Sequence, residues 1–467
     1  MAYLLPLFYL FFAFASIADD QLEFKYQVAV DTEAFKMDVI GCSATGLPDS
    51  LVMGESAPLY VSNLRSQSGD SFGVVQQKVT IAEPNAGNCF LYDVHLRPKR
   101  RGEQRGGAET RLIDEANLLT SIEDWLVRPS PDVKARLKVR FISSDGIHIS
   151  TPWERVTDNE FIVSKEFSNH EGIVAFSRYP IKTFKVGGCN VELTFMSGFT
   201  EVSQEDMSSW VRQAAQGVSR LMGRFPLSRV QVVISASDRG SDTVPWAYVT
   251  RGGGGGVHLL VQRSVTKEQL DWDWSLSHEL SHFLLPDIDT GDYWLIEGLP
   301  TYLQHLSMVR GDLITSDEAW RRLRQGFIEG GRTGGDISVF DAMSRMTQRG
   351  MYRKIYWGGA AFFFGIDARL RQSKVHLDGI LGVLSAYHDC CFNFYSKMAG
   401  PDLIQQFDSL SRSDVFSKAV RSDIHDVMFP DFEKIFESLG LEFFGRNPIV
   451  VDEDRATISR DIMRSVK

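Results

Sequence analysis

The chain has 467 residues, of which 43% are hydrophobic and 24% are charged. This composition is typical of a globular protein that buries sizeable cores, and the length predicts two or three domains. The formal net charge of −10 excludes an overall basic footprint, so nucleic acid is not expected as a partner. The one basic run, at 97–111, mixes Gly, Gln and Glu with its arginines and is interpreted as a solvated loop.

The first eighteen residues are apolar and end in small residues at Ser16 and Ala18. This pattern predicts a secretory signal at 1–18, cleaved after Ala18, and therefore an exported protein in the periplasm or outside the cell. The segment begins without Lys or Arg, so an uncleaved membrane anchor is the alternative. No later segment has eighteen uninterrupted apolar residues, so no stable membrane span is expected after cleavage.

Five cysteines follow the predicted signal, and an exported location permits them to form disulfides. Cys42 and Cys89 are the first pair to test, although spacing does not determine connectivity. The odd number leaves at least one thiol unpaired. No Cys-x-x-Cys arrangement occurs, so we predict structural roles for Cys42, Cys89, Cys189, Cys390 and Cys391.

Strand signals dominate residues 19–198. Short runs rich in β-branched and aromatic residues, such as 137–144, 172–177 and 190–195, alternate with clusters of Gly, Pro, Asp and Asn. These signals predict an amino-terminal antiparallel β domain.

A helix is predicted at 203–226, where apolar residues recur at helical spacing and Ser203 resembles a helix start. A buried strand is predicted at 229–236. Five consecutive glycines at 252–256 are followed by neither a Lys-Ser/Thr pair nor a helix, so they do not form a phosphate loop. We interpret them as a flexible turn into the next strand.

Most of the remaining chain is predicted to be helical. The helices are expected at 266–285, 294–309, 317–329, 356–372, 376–387 and 430–439. The polar last fifteen or so residues are expected to form a disordered tail. We therefore place a central domain at 199–350 and a carboxy-terminal helical region at 351–467.

The segment SLSHELSHFLLP places His278 and His282 four residues apart. On a helix this spacing stacks the two imidazoles on one face, where both can bind one metal ion. Glu279 is rotated about 100° from His278, which puts its carboxylate beside the metal, where it can accept a proton from water. The alternative is a helix whose histidines are satisfied by neighbouring groups.

A zinc site of this type needs a third protein ligand, and the segment DYWLIEGLPTYLQHL supplies Glu297. Glu297 lies in a second predicted helix, fifteen residues after His282, and Pro286 with the polar turn after it lets the chain reverse. The neighbours of Glu297 in sequence are apolar. A buried carboxylate there needs a charge partner, which a zinc ion provides. We expect one Zn²⁺ per chain.

These residues resemble the gluzincin zinc metallopeptidases, in particular the aminopeptidase N-like and glycyl aminopeptidase-like enzymes. HELSH and WLIEGLPTY match that family's His-Glu-x-x-His and Trp-x-x-Glu-Gly-x-x-x-Tyr patterns. The resemblance implies an α+β multidomain fold with an amino-terminal antiparallel β domain, a thermolysin-like catalytic domain and a carboxy-terminal helical region. It also implies His278, His282 and Glu297 as zinc ligands and Glu279 as the general base.

The segment IYWGGAAFFFGIDARLRQ at 355–372 is similar to the family's Tyr-x-Lys-Gly-Ala helix start. The resemblance implies that the hydroxyl of Tyr356 hydrogen-bonds the developing oxyanion. The alternative for Tyr356 is a core aromatic residue at a helix start. Two departures concern the helices: Gly358 replaces the family's lysine, and the interval between His282 and Glu297 is shorter than in relatives, so the connecting turn must be tight.

Relatives carry an acid on the edge strand of the catalytic sheet, and that acid binds the free amino terminus of the substrate. The corresponding place is interpreted as GGGVHLL at 254–260, which contains no acid. This strand is expected to align an extended peptide through its main chain, with Gly255, Gly256, Val257 and His258 in contact with the substrate. For His258, a plain strand residue is the alternative.

We therefore expect an exported zinc metallopeptidase that hydrolyses a peptide or protein substrate. Aminopeptidase or endopeptidase specificity stays open, as does the oligomeric state. One alternative is a peptidase-derived binding protein with little or no activity, against which the intact Glu279 argues. A zinc-free structural protein is the other alternative, and it requires the two histidines and Glu297 to be coincidental.

Overall fold

The computed structural model describes residues 22–81, 87–96, 111–112, 117–130, 133, 135–163, 172–238, 240–348, 350–373 and 378–464. The expected signal at 1–18 and all but the last residue of the basic run at 97–111 lie outside these ranges. No helix among the described residues is both long and apolar enough to cross a membrane. The predicted α+β multidomain class is confirmed, with sheets in the amino-terminal part and helices in the carboxy-terminal part.

The amino-terminal domain is built from short strands. Its described strands are β1 Leu22–Asp31, β2 Lys36–Ser43, β3 Ser50–Val52, β4 Val61–Ser66, β5 Gly73–Val75, β6 Lys78–Thr80, β7 Cys89–His95, β8 Arg111–Leu112, β9 Leu118–Ser121, β10 Arg128–Pro129, β11 Ala135–Ile142, β12 His148–Ser150, β13 Glu154–Arg155, β14 Glu160–Val163 and β15 Ile173–Ser177. They form a seven-stranded sheet in the order β13-β14-β11-β1-β2-β7-β4 and two four-stranded sheets, β10-β3-β6-β5 and β12-β15-β9-β8.

The large sheet is antiparallel except for the pairing of β1 with β11. This parallel pair departs from the predicted antiparallel domain, because β11 returns beside β1 after a long excursion and not through a hairpin. Alternating burial along β1 directs Phe24 and Tyr26 into the core. There, Trp125, Phe141 and Trp153 are fully buried, with ring centroids 6.1 to 6.4 Å apart.

The predicted Cys42–Cys89 disulfide is confirmed, and it joins directly opposed residues of β2 and β7. A second disulfide links the adjacent residues Cys390 and Cys391, which no spacing rule predicted. Cys189 is buried with a free thiol, as the odd number of cysteines required. All five side chains thus have structural positions in the fold.

The central unit is a five-stranded sheet in the order β16-β17-β18-β20-β19. Its strands are β16 Lys182–Val186, β17 Cys189–Phe195, β18 Arg229–Ser237, β19 Trp246–Thr250 and β20 Gly255–Gln262. β17, β18 and β20 are parallel, whereas the outer strands β16 and β19 run antiparallel to their neighbours. The expected domain boundary at residue 198 divides this sheet, because β17 pairs with both β16 and β18 and none of the three pairs with the amino-terminal sheets.

Helix α1, Gln204–Met222, packs on this sheet and begins where the sequence predicts. The hydroxyl of Ser203 accepts a hydrogen bond from the backbone of Asp206, and the Asp206 carboxylate accepts one from the backbone of Ser203. This reciprocal capping box satisfies two amide groups that the first turn leaves free. The helix ends at Gly223, whose φ of 75° favours glycine.

The glycine run at 252–256 bends into β20 as expected, but it is buried and packed, which argues against the flexibility that was expected of it. It packs against the amino-terminal domain: a Cβ at Gly254 would lie 1.8 Å from the carbonyl oxygen of Pro152. The indole of Trp153 donates a hydrogen bond to the carbonyl of Gly252 at 3.1 Å. The glycines are therefore required for close contact between two domains.

Buried charge also joins these domains. Glu192 of β17 is 1% exposed and accepts hydrogen bonds from Arg155 at 3.0 Å and Arg229 at 3.2 Å. Burial raises the pKa of Glu192, but the two guanidinium groups outweigh burial and hold it below its ordinary value. Because Arg155 comes from the amino-terminal domain and Arg229 from β18, the ion pair fixes one domain on the other.

The rest of the chain is helical with two small two-stranded sheets. Its helices are α2 Lys267–Trp272, α3 Ser275–Ser281, α4 Tyr293–Arg310, α5 Ser316–Arg332, α6 Val339–Met343, α7 Met351–Gln372, α8 Gly379–Cys390, α9 Gly400–Ser411, α10 Val415–Ala419, α11 Phe432–Ser438 and α12 Glu453–Met463. Strands β21 Asp287–Ile288 and β22 Lys397–Met398 form a parallel pair, and β23 Leu441–Phe444 and β24 Asn447–Val450 form a hairpin.

The prediction of one continuous helix at 266–285 and the prediction of a disordered tail are both wrong. The single helix expected at 266–285 is divided into α2 and α3, because Asp273 ends α2 in an extended conformation and its carboxylate accepts a hydrogen bond from the Ser275 amide at 2.8 Å. The expected disordered tail contains α12, whose buried face includes Ala456 and Ile462. The other five helices expected after residue 266 are all present, as α4, α5, α7, α8 and α11.

Helices α4 and α7 approach each other closely at two glycines. A Cβ at Gly298 would lie 2.5 Å from the Cα of Gly359, and a Cβ at Gly359 would lie 2.1 Å from the carbonyl oxygen of Trp294. Any larger side chain at either position would separate the helices. The contact brings Glu297 of α4 and Tyr356 of α7 into one region of the fold.

Candidate metal centre

The histidine motif lies at the end of a short helix and in the turn that follows it. His278 and Glu279 lie in α3, whereas His282 is the first residue of the 3₁₀ turn His282–Leu284 that follows it. All three side chains are less than a tenth exposed. The i, i+4 spacing still places both imidazoles on one side, because the 3₁₀ turn continues directly from α3.

The connection from His282 to Glu297 is tight, as its length required. It contains β21, which pairs with β22, and the 3₁₀ turn Thr290–Asp292. The Asp292 carboxylate accepts a hydrogen bond from the Gly400 amide at 3.1 Å. The turn is thus held by the carboxy-terminal region, and it sets the start of α4 and with it the position of Glu297.

The structure brings His278, His282 and Glu297 together. The Nε2 atom of His278 lies 3.1 Å from Oε2 of Glu297 and 3.2 Å from Nε2 of His282, and the remaining His282–Glu297 distance is 3.6 Å. Ligands about 2.0 to 2.1 Å from a tetrahedral zinc ion are separated by roughly 3.3 Å. The three atoms therefore have the spacing of one face of a zinc coordination tetrahedron.

Gln304 and His305 form a chain of hydrogen bonds that orients His278. Nδ1 of His278 lies 2.9 Å from Oε1 of Gln304, and Nε2 of Gln304 lies 3.2 Å from Nε2 of His305. Since the amide oxygen only accepts, Nδ1 of His278 carries the hydrogen and its Nε2 is left with a lone pair. Two lone pairs and a carboxylate oxygen cannot converge in a buried site without a cation or a shared proton.

An arginine holds the end of the motif. The Arg251 guanidinium donates hydrogen bonds to the carbonyl oxygens of His282 at 2.9 Å and Leu285 at 3.0 Å. It therefore adds side-chain hydrogen bonds to the carbonyls at the end of the helical segment. Motif reasoning missed both Arg251 and Gln304. The helical spacing of seven residues from Glu297 was a signal for Gln304, whereas no local pattern marks Arg251.

Burial shapes the electrostatics of the site. It raises the pKa of Glu279 to about 7, with the Glu297 carboxylate acting in the same direction, and it lowers the pKa of His282 to about 3. Burial also raises the pKa of Glu297, but His282 and His278 outweigh it and leave this pKa below its ordinary value. Glu297 is thus an anion beside a neutral imidazole of His282, as metal ligation requires.

Tyr356 lies at the site as the resemblance implied. Its ring is stacked on that of His278, with centroids 6.2 Å apart and planes inclined by 6°. Its phenol interacts electrostatically with the carboxylates of Glu297 and Glu279. Burial raises the pKa of Tyr356 far above neutrality, so the phenol keeps its proton and acts as a donor.

The four residues expected to contact substrate do not lie on an outer strand of the sheet. Gly255, Gly256, Val257 and His258 are buried in β20, which lies between β18 and β19 and is paired on both sides. His258 is 2% exposed and hydrogen-bonded to Ser235 at 2.9 Å. The expectation of an edge strand at 254–260 is wrong, because the chain has one further antiparallel strand outside it.

The outer strand of the sheet beyond β20 is β19, Trp246–Thr250, and the outer strand on the opposite side is β16. This strand packs beside α3, the helix of the histidine motif. None of its five residues is acidic. The main-chain groups available to an extended peptide next to the metal centre are therefore those of β19.

No protein-family model matches the sequence, and no curated protein matches it. Solved structures with a similar fold exist. An aminopeptidase N family protein from Idiomarina loihiensis aligns over 90% of this chain and 78% of its own, with a TM-score of 0.69 and 11% identity. A Deinococcus radiodurans M1 zinc metallopeptidase variant bound to a Tyr-Ser-Ala substrate aligns over 88% and 95%, with a TM-score of 0.55 and 14% identity.

A two-domain M1 zinc metallopeptidase variant bound to L-arginine is similar to the same extent, with a TM-score of 0.55 and 13% identity. The alignment covers 88% of this chain and 95% of the chain bound to L-arginine. These likenesses show that the chain has the fold of the aminopeptidase N-like zinc peptidases, which confirms the resemblance found in its motifs.

We expect the purified protein to bind about one zinc ion per chain, and His282→Ala to abolish this binding. Gln304→Leu should weaken zinc affinity roughly 10- to 100-fold, because it removes the group that orients His278. Competition with a chromophoric chelator measures both effects. Gln372→Leu is the matched control, since Gln372 hydrogen-bonds Ser438 away from the centre. A protein without measurable zinc affinity would contradict the assigned centre.

The raised pKa of Glu279 predicts a pH effect on the metal-free protein. A pKa raised from 4.5 to about 7 favours the protonated folded state, so the associated stability is present below pH 4.5 and is lost as the pH rises through 7. The loss amounts to about 3 kcal/mol at 1.36 kcal/mol per pH unit. Glu279→Gln, which cannot ionise, should therefore be stabilising relative to wild type at pH 8 but not at pH 4.5. Urea unfolding in a chelator tests this, and an equal difference at both pH values would contradict it.

Proposed function

We propose that this protein is a zinc-dependent peptidase that hydrolyses peptide bonds with Glu279 as the general base. The observation that carries the proposal is the convergence of three ligand atoms at 3.1 to 3.6 Å, with the Glu279 carboxylate and the Tyr356 phenol beside them. The fold shared with zinc metallopeptidases supports it, including one that binds a peptide.

His278, His282 and Glu297 would hold the zinc ion. When bound, zinc supplies a Lewis acid that polarises the scissile carbonyl and makes water more acidic. The donor set fits the ion, because two imidazole nitrogens and one carboxylate oxygen are ligands that zinc prefers. Gln304 keeps the lone pair of His278 directed at the ion, and Arg251 keeps the His282 turn in place.

The proton is moved by Glu279. With a pKa of about 7, this carboxyl group can accept a proton from the attacking water near neutral pH and return it to the leaving amine. Tyr356 would donate its phenol hydrogen to the developing oxyanion. In the present structure the phenol ring is stacked on His278, so it lies beside the residues that would hold the zinc ion.

The main chain of β19 would align the substrate. An extended peptide added to this edge would run beside α3, which carries His278 and Glu279 and leads directly into the turn that carries His282. Export is also part of the proposal. It is supported by the apolar segment at 1–18 and by the Cys42–Cys89 disulfide, which persists in an oxidising compartment.

Glu279→Gln separates catalysis from zinc binding. We expect this variant to retain zinc and its fold but to lose at least 100-fold in kcat, because it removes the group that accepts the proton. His282→Ala should lose both zinc and hydrolysis. Hydrolysis of an unbiased peptide mixture, followed by mass spectrometry, measures the activity. Equal turnover by wild type and Glu279→Gln would contradict the mechanism.

The absence of acidic residues from β19 predicts that the free amino terminus of the substrate contributes little to kcat/KM. Because none of Trp246–Thr250 is acidic, acetylation of a peptide's amino terminus should change kcat/KM by less than about threefold. This outcome corresponds to endopeptidase activity. The comparison uses one cleaved peptide in free and acetylated form, with mass-spectrometric assignment of the bond cut. Abolition of cleavage by acetylation would show that another group binds the amine.

A further inference from the structure

The two disulfides of the chain differ in exposure and in the length of chain that they close. Cys42 and Cys89 are partly buried and 47 positions apart, whereas Cys390 and Cys391 are exposed neighbours. The stability that a disulfide provides by constraining the unfolded chain increases with the length of the closed loop. A bond between adjacent residues therefore contributes little of this kind, and its effect is confined to the local backbone.

The Cys390–Cys391 bond lies where α8 ends. The amides of Cys391 and Phe392 both donate hydrogen bonds to the carbonyl of Tyr387, at 2.9 and 3.0 Å. The last turn of α8 and the segment that leaves it thus use one acceptor beside the disulfide. Because the bond links the two side chains, the backbone at Cys390 and Cys391 has fewer conformations than two free thiols would allow.

A histidine two positions before the disulfide contacts the turn that carries His282. Nε2 of His388 lies 2.9 Å from the carbonyl oxygen of Leu284, the last residue of the 3₁₀ turn His282–Leu284. Since a carbonyl oxygen only accepts, Nε2 of His388 carries the hydrogen. The imidazole is also stacked on Phe392, with ring centroids 3.9 Å apart. His388 therefore lies between the His282 turn and the residue that follows the disulfide.

The segment after the disulfide contacts the same turn. The Arg251 guanidinium donates a hydrogen bond to the carbonyl of Phe394 at 3.2 Å and lies 4.6 Å from the centroid of its ring. The Phe394 ring also packs against that of Phe283, with centroids 5.8 Å apart. The same guanidinium donates to the carbonyls of His282 and Leu285. Contacts from both sides of the disulfide thus converge on one turn.

The disulfide at the end of α8 is open to reagents in solution. Both Cys390 and Cys391 are exposed, and an exposed disulfide is the kind that a thiolate attacks most readily. Cys189, the free thiol of the chain, is buried, and burial raises its pKa to about 12, so it does not supply the attacking thiolate. The thiol that reduces this bond must come from another molecule.

We propose that Cys390–Cys391 is a reducible site through which a dithiol lowers the zinc affinity of the candidate metal centre. One thiolate of the dithiol attacks a sulfur of the bond and forms a mixed disulfide, which the second thiol resolves. Overall, two electrons and two protons pass to Cys390 and Cys391, and the reagent leaves as a disulfide. The freed backbone no longer fixes His388 and Phe394 against the turn, so His282 is held less firmly. The inference rests on the proposed zinc peptidase function.

The test compares the zinc affinities of oxidised and reduced wild type by competition with a chromophoric chelator. Dithiothreitol is the reductant, and it is removed under nitrogen before zinc is added. We expect reduction to weaken zinc binding roughly tenfold, the lower end of the effect of removing a group that orients a metal ligand. Alkylation and peptide mass spectrometry identify the reduced cysteines. Equal affinities, with Cys390 and Cys391 reduced and Cys42–Cys89 intact, would overturn the inference.

The double variant Cys390→Ser/Cys391→Ser removes the disulfide and leaves no exposed thiol that binds zinc itself. It should show the zinc affinity of reduced wild type, both before and after treatment with dithiothreitol. Reduced His282→Ala measures the zinc that the two thiols hold alone. A double variant with the affinity of oxidised wild type would contradict the proposal.

His388→Ala removes one contact between α8 and the turn while leaving the disulfide in place. It should weaken zinc binding and make the further effect of reduction smaller than in wild type. His148→Ala is the matched control, because His148 is an exposed histidine of β12 in the amino-terminal domain. This control should respond to reduction as wild type does. A full tenfold response in His388→Ala would contradict the role of His388.

Hydrogen exchange gives a readout that requires neither zinc nor hydrolysis. In the metal-free protein, reduction should accelerate exchange of the Leu285 amide, which donates to the His282 carbonyl at 3.2 Å, roughly tenfold. The Leu126 amide, bonded to the Ile122 carbonyl in the amino-terminal domain, is the reference and should not change. If exchange responds but neither state binds zinc or cleaves peptides, the peptidase function fails and the reduction-dependent turn stands. If zinc binds and peptides are cleaved without any response to reduction, the redox inference fails alone.

Discussion

The close contact between α4 and α7 is the constraint on which the site depends. Only two glycines, Gly298 and Gly359, let the backbones of these helices meet at van der Waals distance. The contact stands one residue after Glu297 and three residues after Tyr356, so it sets the distance between a candidate metal ligand and the phenol at the same site. A side chain at either glycine would separate the two groups before it affected any ligand directly.

Burial away from water determines the electrostatics of the candidate centre. Two imidazole nitrogens and a carboxylate oxygen converge in a buried place, where unpaired acceptors repel each other without screening by water. The same burial raises the pKa of Glu279 to about 7, which turns an ordinary carboxylate into a base for neutral pH. A single physical cause thus supports the metal affinity and the proton transfer that we propose.

The amino-terminal domain acts on the site through the glycine run. Gly252 and Gly254 pack against Trp153 and Pro152, so the segment that leads from β19 to β20 is fixed and not mobile. Arg251, directly before the run, bonds the carbonyl of His282. Domain packing is therefore transmitted to the turn that carries His282, a candidate metal ligand.

The sequence by itself indicated the candidate ligands, the candidate base and most helix positions, because helical spacing and capping are local properties of the chain. It also indicated the Cys42–Cys89 disulfide and the α+β class. Only the tertiary structure decided which strand is the free edge. Strand order depends on contacts between distant residues, so the sequence could not show that β19 lies outside β20. The same reason explains why Arg251, which no local pattern marks, became visible only in the folded chain.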